Sequence, residues 1–332
     1  MIFSIFKRVV FVVILLLSNL AFANEKEEIV YDEKLFHGWI VDFVEEAKQK
    51  GISEQTIYKF MKDVKFVPRA IELDRTQPYK TKTFEEYLQT VVPDFRVQRA
   101  KAMLKENEKI LNEVSKKYGV QPRFIVALWA VESDFGRNMG GFTIVNTLAT
   151  LAFEGRRAEF FKKELLDALK IIDEGHIAFE DMKGSWAGAM GQTQFMPSSF
   201  LELAVDHNND GKRDIWGTKE DVFASIANYL SKRGWNDDIT WGREVKLPKN
   251  FDEKLIGRDD EKGLSDWKKL GVRKADGGSL PQRADIKASI IKPEDDKKRA
   301  FLVYSNYKTV LKWNRSLYFA TAVGMLSDGI IN

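Results

Sequence analysis

Apolar positions recur at helical spacing through the first third of the chain. Past the acidic leader Asn24–Glu28, Leu35, Phe36, Trp39, Ile40, Phe43 and Ala47 share one face of a predicted helix that Gly51 stops. Ser53 caps a second helix presenting Ile57, Phe60 and Met61, and Thr83 with Glu86 three residues on reads as a capping box before Tyr87 and Leu88. Pro93 opens a longer helix whose buried stripe is Val97, Ala100, Met103, Leu104, Leu111 and Val114. Residues 30–118 are therefore expected to be mainly helical, with the aromatic stripe as core.

The periodicity then gives way to eight consecutive apolar residues, Phe124–Val131, opened by Gln121 and Pro122 and followed by Glu132, Ser133, Asp134 and a turn at Gly136. A helix apolar all round is buried on most sides, so this one delivers Glu132 to whatever lies past its end. Desolvation and the negative end of a helix both raise a carboxyl pKa. A sheltered, protonated acid is what cleavage of an acetal such as a glycosidic bond requires. On this stretch alone a plainer reading stands ahead, a glutamate at a helix end that simply reaches water, because charged groups are rarely kept buried.

Beyond the glycine-bearing loop Met139–Phe142, a helix begins at Arg156 and Arg157, with Phe161, Leu165, Leu169 and Ile172 on one face and Gly175 at its end. Paired arginines at a helix start are commonly solvated or ion-paired. The segment Gly184–Ser199 combines three glycines with Ser185, Gln192 and Gln194 as hydrogen-bonding groups and Trp186 and Phe195 as flat apolar faces. Close approach of a sugar, with its hydroxyls and apolar ring faces, and tight internal packing explain those glycines equally well.

Asp206, Asn208, Asp210 and Gly211 then match the alternating oxygen donors and sixth-position glycine of a calcium loop, but position twelve is Gly217 where a bidentate glutamate belongs. Glu220 or Asp221 could supply that ligand only from a longer loop, and a structural hard-cation site is the expectation. The next helix turns Val222, Ile226, Tyr229 and Leu230 inward and stops at Gly234. Alternating runs at Arg243–Leu247 and Ala284–Ile291, a helix around Trp267 capped by Ser265, and a turn at Gly277 and Gly278 mark a small β-rich insertion. Phe301–Tyr304 is its last predicted strand, after which Thr309–Met325 returns to helix.

Composition narrows the chemistry. The 332 residues have room for two or three domains, and 44% hydrophobic with 30% charged is ordinary for a soluble protein. With no cysteine, disulfides, thiolate zinc sites, a cysteine nucleophile and a lipid-modified cysteine are excluded, and three scattered histidines leave little for a serine triad. Lys7 and Arg8 before the apolar run Val9–Leu17, then Ala21, Phe22 and Ala23, predict a signal peptide over 1–23. Its removal leaves 52 − 2 = 50 basic against 49 acidic residues, which gives no reason to invoke nucleic acid.

Taken in order, Val131–Arg137, Arg156–Phe160, Ser185–Ser199, the Asp206 loop, and Asn306 and Tyr307 through Trp313–Ser316 resemble the B family of membrane-bound lytic murein transglycosylases. The resemblance runs from about residue 30 to the C-terminus. It implies a mainly α (α+β) fold: an N-terminal helical domain (30–95), a lysozyme-like α core with the calcium loop (96–240), an inserted β-rich domain (241–300) and a C-terminal segment completing the core (301–332).

It further implies Glu132 as a single catalytic acid/base on the glycan strands of peptidoglycan. Ser185, Gln194, Tyr229 and Asn306 are implied to line the saccharide groove, with Arg156 and Arg157 as further substrate contacts. Ca2+ is implied at Asp206, Asn208, Asp210, the Lys212 carbonyl and Asp221, with no organic cofactor. A soluble periplasmic monomer is expected, with cell-wall synthesis or remodelling proteins as possible partners. Trp313 replaces a usual tyrosine. A muramidase that admits water, and a binding scaffold without turnover, are the alternatives.

Overall fold

The computed structural model describes residues 33–76, 82–293, 295–296 and 298–331; the predicted signal peptide lies outside them. Four helices come first: α1 (Glu33–Gln49), α2 (Glu54–Asp63), α3 (Pro68–Arg75) and α4 (Phe84–Val91). Ser53 caps α2 through the Thr56 amide, and Thr83 with Glu86 forms the reciprocal capping box of α4. Phe36, Ile40, Phe43 and Phe60 are buried as expected, whereas Leu35 is 65% exposed.

The long helix expected after Pro93 is two, α5 (Asp94–Glu106) and α6 (Glu108–Tyr118). Asn107 breaks it: its side-chain amide donates to the Met103 carbonyl at 2.8 Å, offering the backbone an alternative to the helical ladder. Ala100, Leu111 and Val114 are buried, but Val97, Met103 and Leu104 only partly. Then comes α7 (Pro122–Ser133), whose residues Phe124 through Ala130 are all buried. It is packed by α5, α6 and two later helices, α11 (Lys219–Lys232) and α14 (Leu317–Ile331). At about 1.5–3 kcal/mol for each large apolar side chain, this burial holds the end of α7 firmly in place.

Between α7 and α11 run β1 (Phe142–Thr143), α8 (Ile144–Glu154), α9 (Ala158–Asp173), β2 (Lys183–Gly184) and α10 (Pro197–Leu203). Strands β1 and β2 pair antiparallel, Phe142 opposite Gly184. After α11 the chain builds an antiparallel five-stranded sheet from β3 (Gly242–Lys246), β4 (Lys262–Gly263), β5 (Arg273–Lys274), β6 (Lys287–Ile291) and β7 (Ala300–Val303) in the order β4-β6-β7-β3-β5. Its small core holds Val245, Trp267, Val272, Leu280, Ile290 and Leu302. Helix α12 (Leu264–Lys269) crosses it, with Gly263 rather than Ser265 at the cap position.

The predicted final helix is likewise two, α13 (Ser305–Trp313) and α14. Asn314 Oδ1 accepts the Ser316 amide at 3.0 Å and closes a turn between them, which leaves Trp313 at the tip of α13. Asn306 is fully buried and ties the sheet's approach to the helices: its amide donates to the Asn236 and Ile239 carbonyls, and its oxygen accepts the Asn236 amide.

Candidate active site

Glu132 is the penultimate residue of α7. The chain behind it turns away through three successive left-handed residues, Asp134 (φ 51°), Phe135 (φ 61°) and Gly136 (φ 80°). The first two conformations are costly for residues with a Cβ, and such strain persists only where the surroundings over-determine it. Here the Asp134 amide bonds the Ala130 carbonyl, Ser133 Oγ accepts the Gly136 amide, and the Phe135 ring packs edge-on against Trp129 at 5.3 Å. Asp134 turns to Arg137 and Arg96. The turn therefore stops the helix one residue after Glu132 and turns the neighbouring acid Asp134 aside.

Glu132 itself is half-buried. Burial pushes its carboxyl up to about 8, opposed by an indole hydrogen bond from Trp313 Nε1 to Oε1 at 2.6 Å. No second carboxylate contributes to the shift. Trp313 in turn meets Tyr229 at 4.5 Å and Phe195 at 5.2 Å between ring centres, so α13, α11 and the loop after β2 make one aromatic wall. Tyr229 is fixed by its hydroxyl, which donates to the Lys312 carbonyl at 2.7 Å. From α4, Tyr87 also faces the acid: burial, and secondarily the charge of Glu132, push its phenol up to about 12.

The loop after β2 is held by its own backbone. A Cβ on Gly184 would lie 2.1 Å from the Ala189 carbonyl oxygen, and one on Gly140 2.1 Å from that of Gly184. Tight packing thus accounts for these glycines. Ser185 is half-buried and accepts the Ala189 amide at 3.0 Å; Gln194, at φ 50°, donates to the Met139 and Gly191 carbonyls. Gln192, which offered a sugar contact in the sequence, is buried and bridges Trp129 Nε1 to the Trp216 carbonyl, each at 2.7 Å.

Other candidates lie elsewhere. Arg156 and Arg157 both clamp Asp74 of α3, a carboxylate only 2% exposed, and Arg157 lies over the Phe161 ring at 4.5 Å. In the Asp206 loop the carboxylates bond to the loop's own amides, Asp206 to Gly211 and Asp210 to Lys212. Among the described residues no three acidic or imidazole side chains gather as they would around a metal. The donors are nonetheless all oxygens, as a hard cation requires, and buried Asp221 has its pKa raised first by burial and also by neighbouring Asp206. Two acids facing each other at the edge of the core suit a divalent ion.

The transglycosylase SLT domain family matches residues 35–328, almost the whole of the described chain. The chain belongs to that family. The membrane-bound lytic murein transglycosylase B of Escherichia coli K12 is 34% identical over 247 residues, which span 72% of this chain and 65% of that relative, just under two thirds of its length. Among solved structures, SltB3 of Pseudomonas aeruginosa, in complex with NAG-anhNAM-pentapeptide, superposes with a TM-score of 0.87 at 42% identity, covering 90% of this chain and 80% of that one. Escherichia coli SLT35 in complex with calcium gives 0.75 at 27%, covering 88% and 92%. This SLT domain accordingly has the lysozyme-like helical core that the resemblance implied. Sequence reasoning did not place Trp313 or Tyr87 at the acid. Trp313 lies 181 residues away along the chain, and nothing local to Tyr87 distinguishes it from a core aromatic.

Proposed function

We propose that this chain is a peptidoglycan lytic transglycosylase acting through Glu132 alone. The observation that carries the reading is one carboxylic acid, shifted to about 8 by burial, set in an aromatic wall with its neighbour Asp134 turned aside. Glycosidases ordinarily use two carboxyl groups across the bond. With one, the same residue must act twice. Protonated Glu132 donates to the glycosidic oxygen as it leaves C1 of N-acetylmuramic acid. The resulting carboxylate takes the proton of that sugar's C6 hydroxyl, whose oxygen bonds to C1. A 1,6-anhydro end forms, no water is consumed, and Glu132 regains its proton.

Trp313, part-exposed beside the acid, stabilises the carboxylate stage by donation and offers its face to the sugar, backed by the buried rings of Tyr229 and Phe195. Ser185 and Gln194 are assigned to the saccharide groove from the loop after β2. Asn306 is assigned there through the 236–239 segment it fixes, whereas Arg156 and Arg157, committed to Asp74, are assigned to holding α3 in place. The aromatic wall supports taking 96–240 with 301–332 as the catalytic core, 30–95 and 241–300 being the added helical and β-rich domains. Calcium is assigned to Asp206, Asn208, Asp210, Lys212 and Asp221 as a structural ion, on the oxygen donor set. The substrate class and the signal-like leader sequence support a periplasmic location; a monomer is the expected state, with wall synthesis or remodelling proteins as its expected partners. No helix among the described residues is long and apolar enough to cross a membrane.

The test is mass spectrometry of purified sacculi after digestion. Anhydromuropeptides are expected from the native chain and none from Glu132→Gln. Reducible muramic ends would instead identify a hydrolase, and binding without soluble fragments would identify a scaffold.

A further inference from the structure

Next to the aromatic wall lies an open cleft of about 830 Å³, bounded by the C-terminal end of α11, the outer face of α13 and the loop following Ile256. Its walls carry six basic side chains, Lys232, Arg233, Arg258, Lys308, Lys312 and Arg315, against one acid, Asp259. Local neutralisation is incomplete. Arg233 pairs with Glu202 and Lys308 with Glu261, but Lys232, Arg258 and Arg315 are exposed and have no ion-pair partner among the described residues. The chain is otherwise almost charge-balanced, so this is a local concentration of positive charge rather than a sample of a basic surface. A concave wall of one sign focuses its potential on whatever enters.

The cleft is continuous with the acid's surroundings. Tyr229 lines it, meets Trp313 at 4.5 Å, and Trp313 bonds Glu132. A substituent on the sugar held at Glu132 could therefore run into it. We propose that this cleft binds the anionic peptide stem carried by muramic acid, with Arg258 and Arg315 pairing with its free carboxylates. An extended tetrapeptide spans about 13 Å, enough to pass from a sugar at the aromatic wall into the cleft. The volume falls within the roughly 300–1,000 Å³ of ordinary ligand sites. Arginine's planar fork suits carboxylates in particular. The cleft thus selects peptide-bearing strands over stripped ones, an inference that rests on the transglycosylase reading.

The test is a binding measurement that needs no turnover. In the Glu132→Gln protein, calorimetry compares an anhydro-disaccharide tetrapeptide with the same disaccharide lacking its peptide. The peptide-bearing ligand is expected to bind about tenfold more tightly, the sum of two partly screened charge pairs. Adding Arg258→Gln and Arg315→Gln should abolish that advantage and leave the peptide-free Kd unchanged. Lysine at both positions should restore part of it, and 0.5 M NaCl should erode it. Absence of the advantage in the parent protein, its persistence in the double variant, or equal weakening of both ligands overturns the proposal. Release of anhydro ends from peptide-stripped strands by the native chain tests the chemistry separately, so failure of one reading is distinguishable from failure of the other.

Discussion

Trp313 Nε1 donates to Glu132 Oε1 across 2.6 Å, joining the tip of α13 to the end of α7. An indole N–H only donates, so this bond favours the carboxylate over the acid and works against the burial that raises the pKa to about 8. The acid is thereby kept within reach of both protonation states, as a residue that acts first as donor and then as acceptor requires.

Replacing Trp313 by Phe keeps an aromatic wall and removes the donor. A hydrogen bond to a charged group contributes about 1.5–3 kcal/mol, or roughly one to two pKa units. The alkaline limb of the pH–rate profile should accordingly move up by about a unit, with a lower maximal rate because the carboxylate stage is less stabilised. An unshifted limb would show that the bond does not set the pKa.

Glu132→Gln should stabilise the fold, and only above acidic pH. The folded-state pKa is raised from 4.5 to about 8, so the acid costs nothing below about 4.5, and its ionisation destabilises progressively as pH rises to about 8. The full shift corresponds to 3.5 × 1.36, about 5 kcal/mol. Because Glu132 keeps a partial opening to water, a gain of a few kcal/mol is expected at pH 8 and none at pH 4. Urea denaturation of both proteins at the two values decides it, and a pH-independent difference would count against the raised pKa.

Much of this site was legible because it is local. The apolar run Phe124–Val131 announced a buried helix with an acid at its end, and the capping pairs at Ser53 and Thr83 located two helix starts. What the chain did not disclose depends on side chains competing for backbone groups or meeting over long separations. Asn107 and the turn at Asn314 break helices that apolar spacing alone would run through. Asn306 looked like a groove residue, but its polar atoms are committed to the 236–239 segment, a pairing fixed only when the sheet docks.

The Asp74 clamp gives a third prediction. Asp74 is buried but both arginines are exposed, so losing their partner leaves them solvated rather than stranded, and the cost is that of lost charge-assisted hydrogen bonds rather than of a broken buried pair. Asp74→Asn should lose on the order of 1–2 kcal/mol of stability by loosening α3 from Arg156 and Arg157, while KM for glycan strands stays within about twofold. A many-fold rise in KM without loss of stability would instead make the two arginines direct substrate contacts.

Calcium should act on stability in a pH-dependent way. Asp221 is fully buried, and burial together with Asp206 disfavours its ionised form, so a divalent ion between them would relieve both costs. A ligand at a hundred times its Kd stabilises by about 2.7 kcal/mol, which for a chain of this size is a Tm increase on the order of 5 °C. Carboxylates must be deprotonated to bind, so the increase should be larger at pH 8 than at pH 5. Melts in calcium and in chelator, for the native chain and Asp221→Asn, separate the effects: only the native chain should respond, and an equal response in the variant would move the ion elsewhere. If calcium holds the Asp206 loop against the start of α11, activity should survive chelation at low temperature and fail first on warming, because Glu132 and Trp313 lie outside the loop.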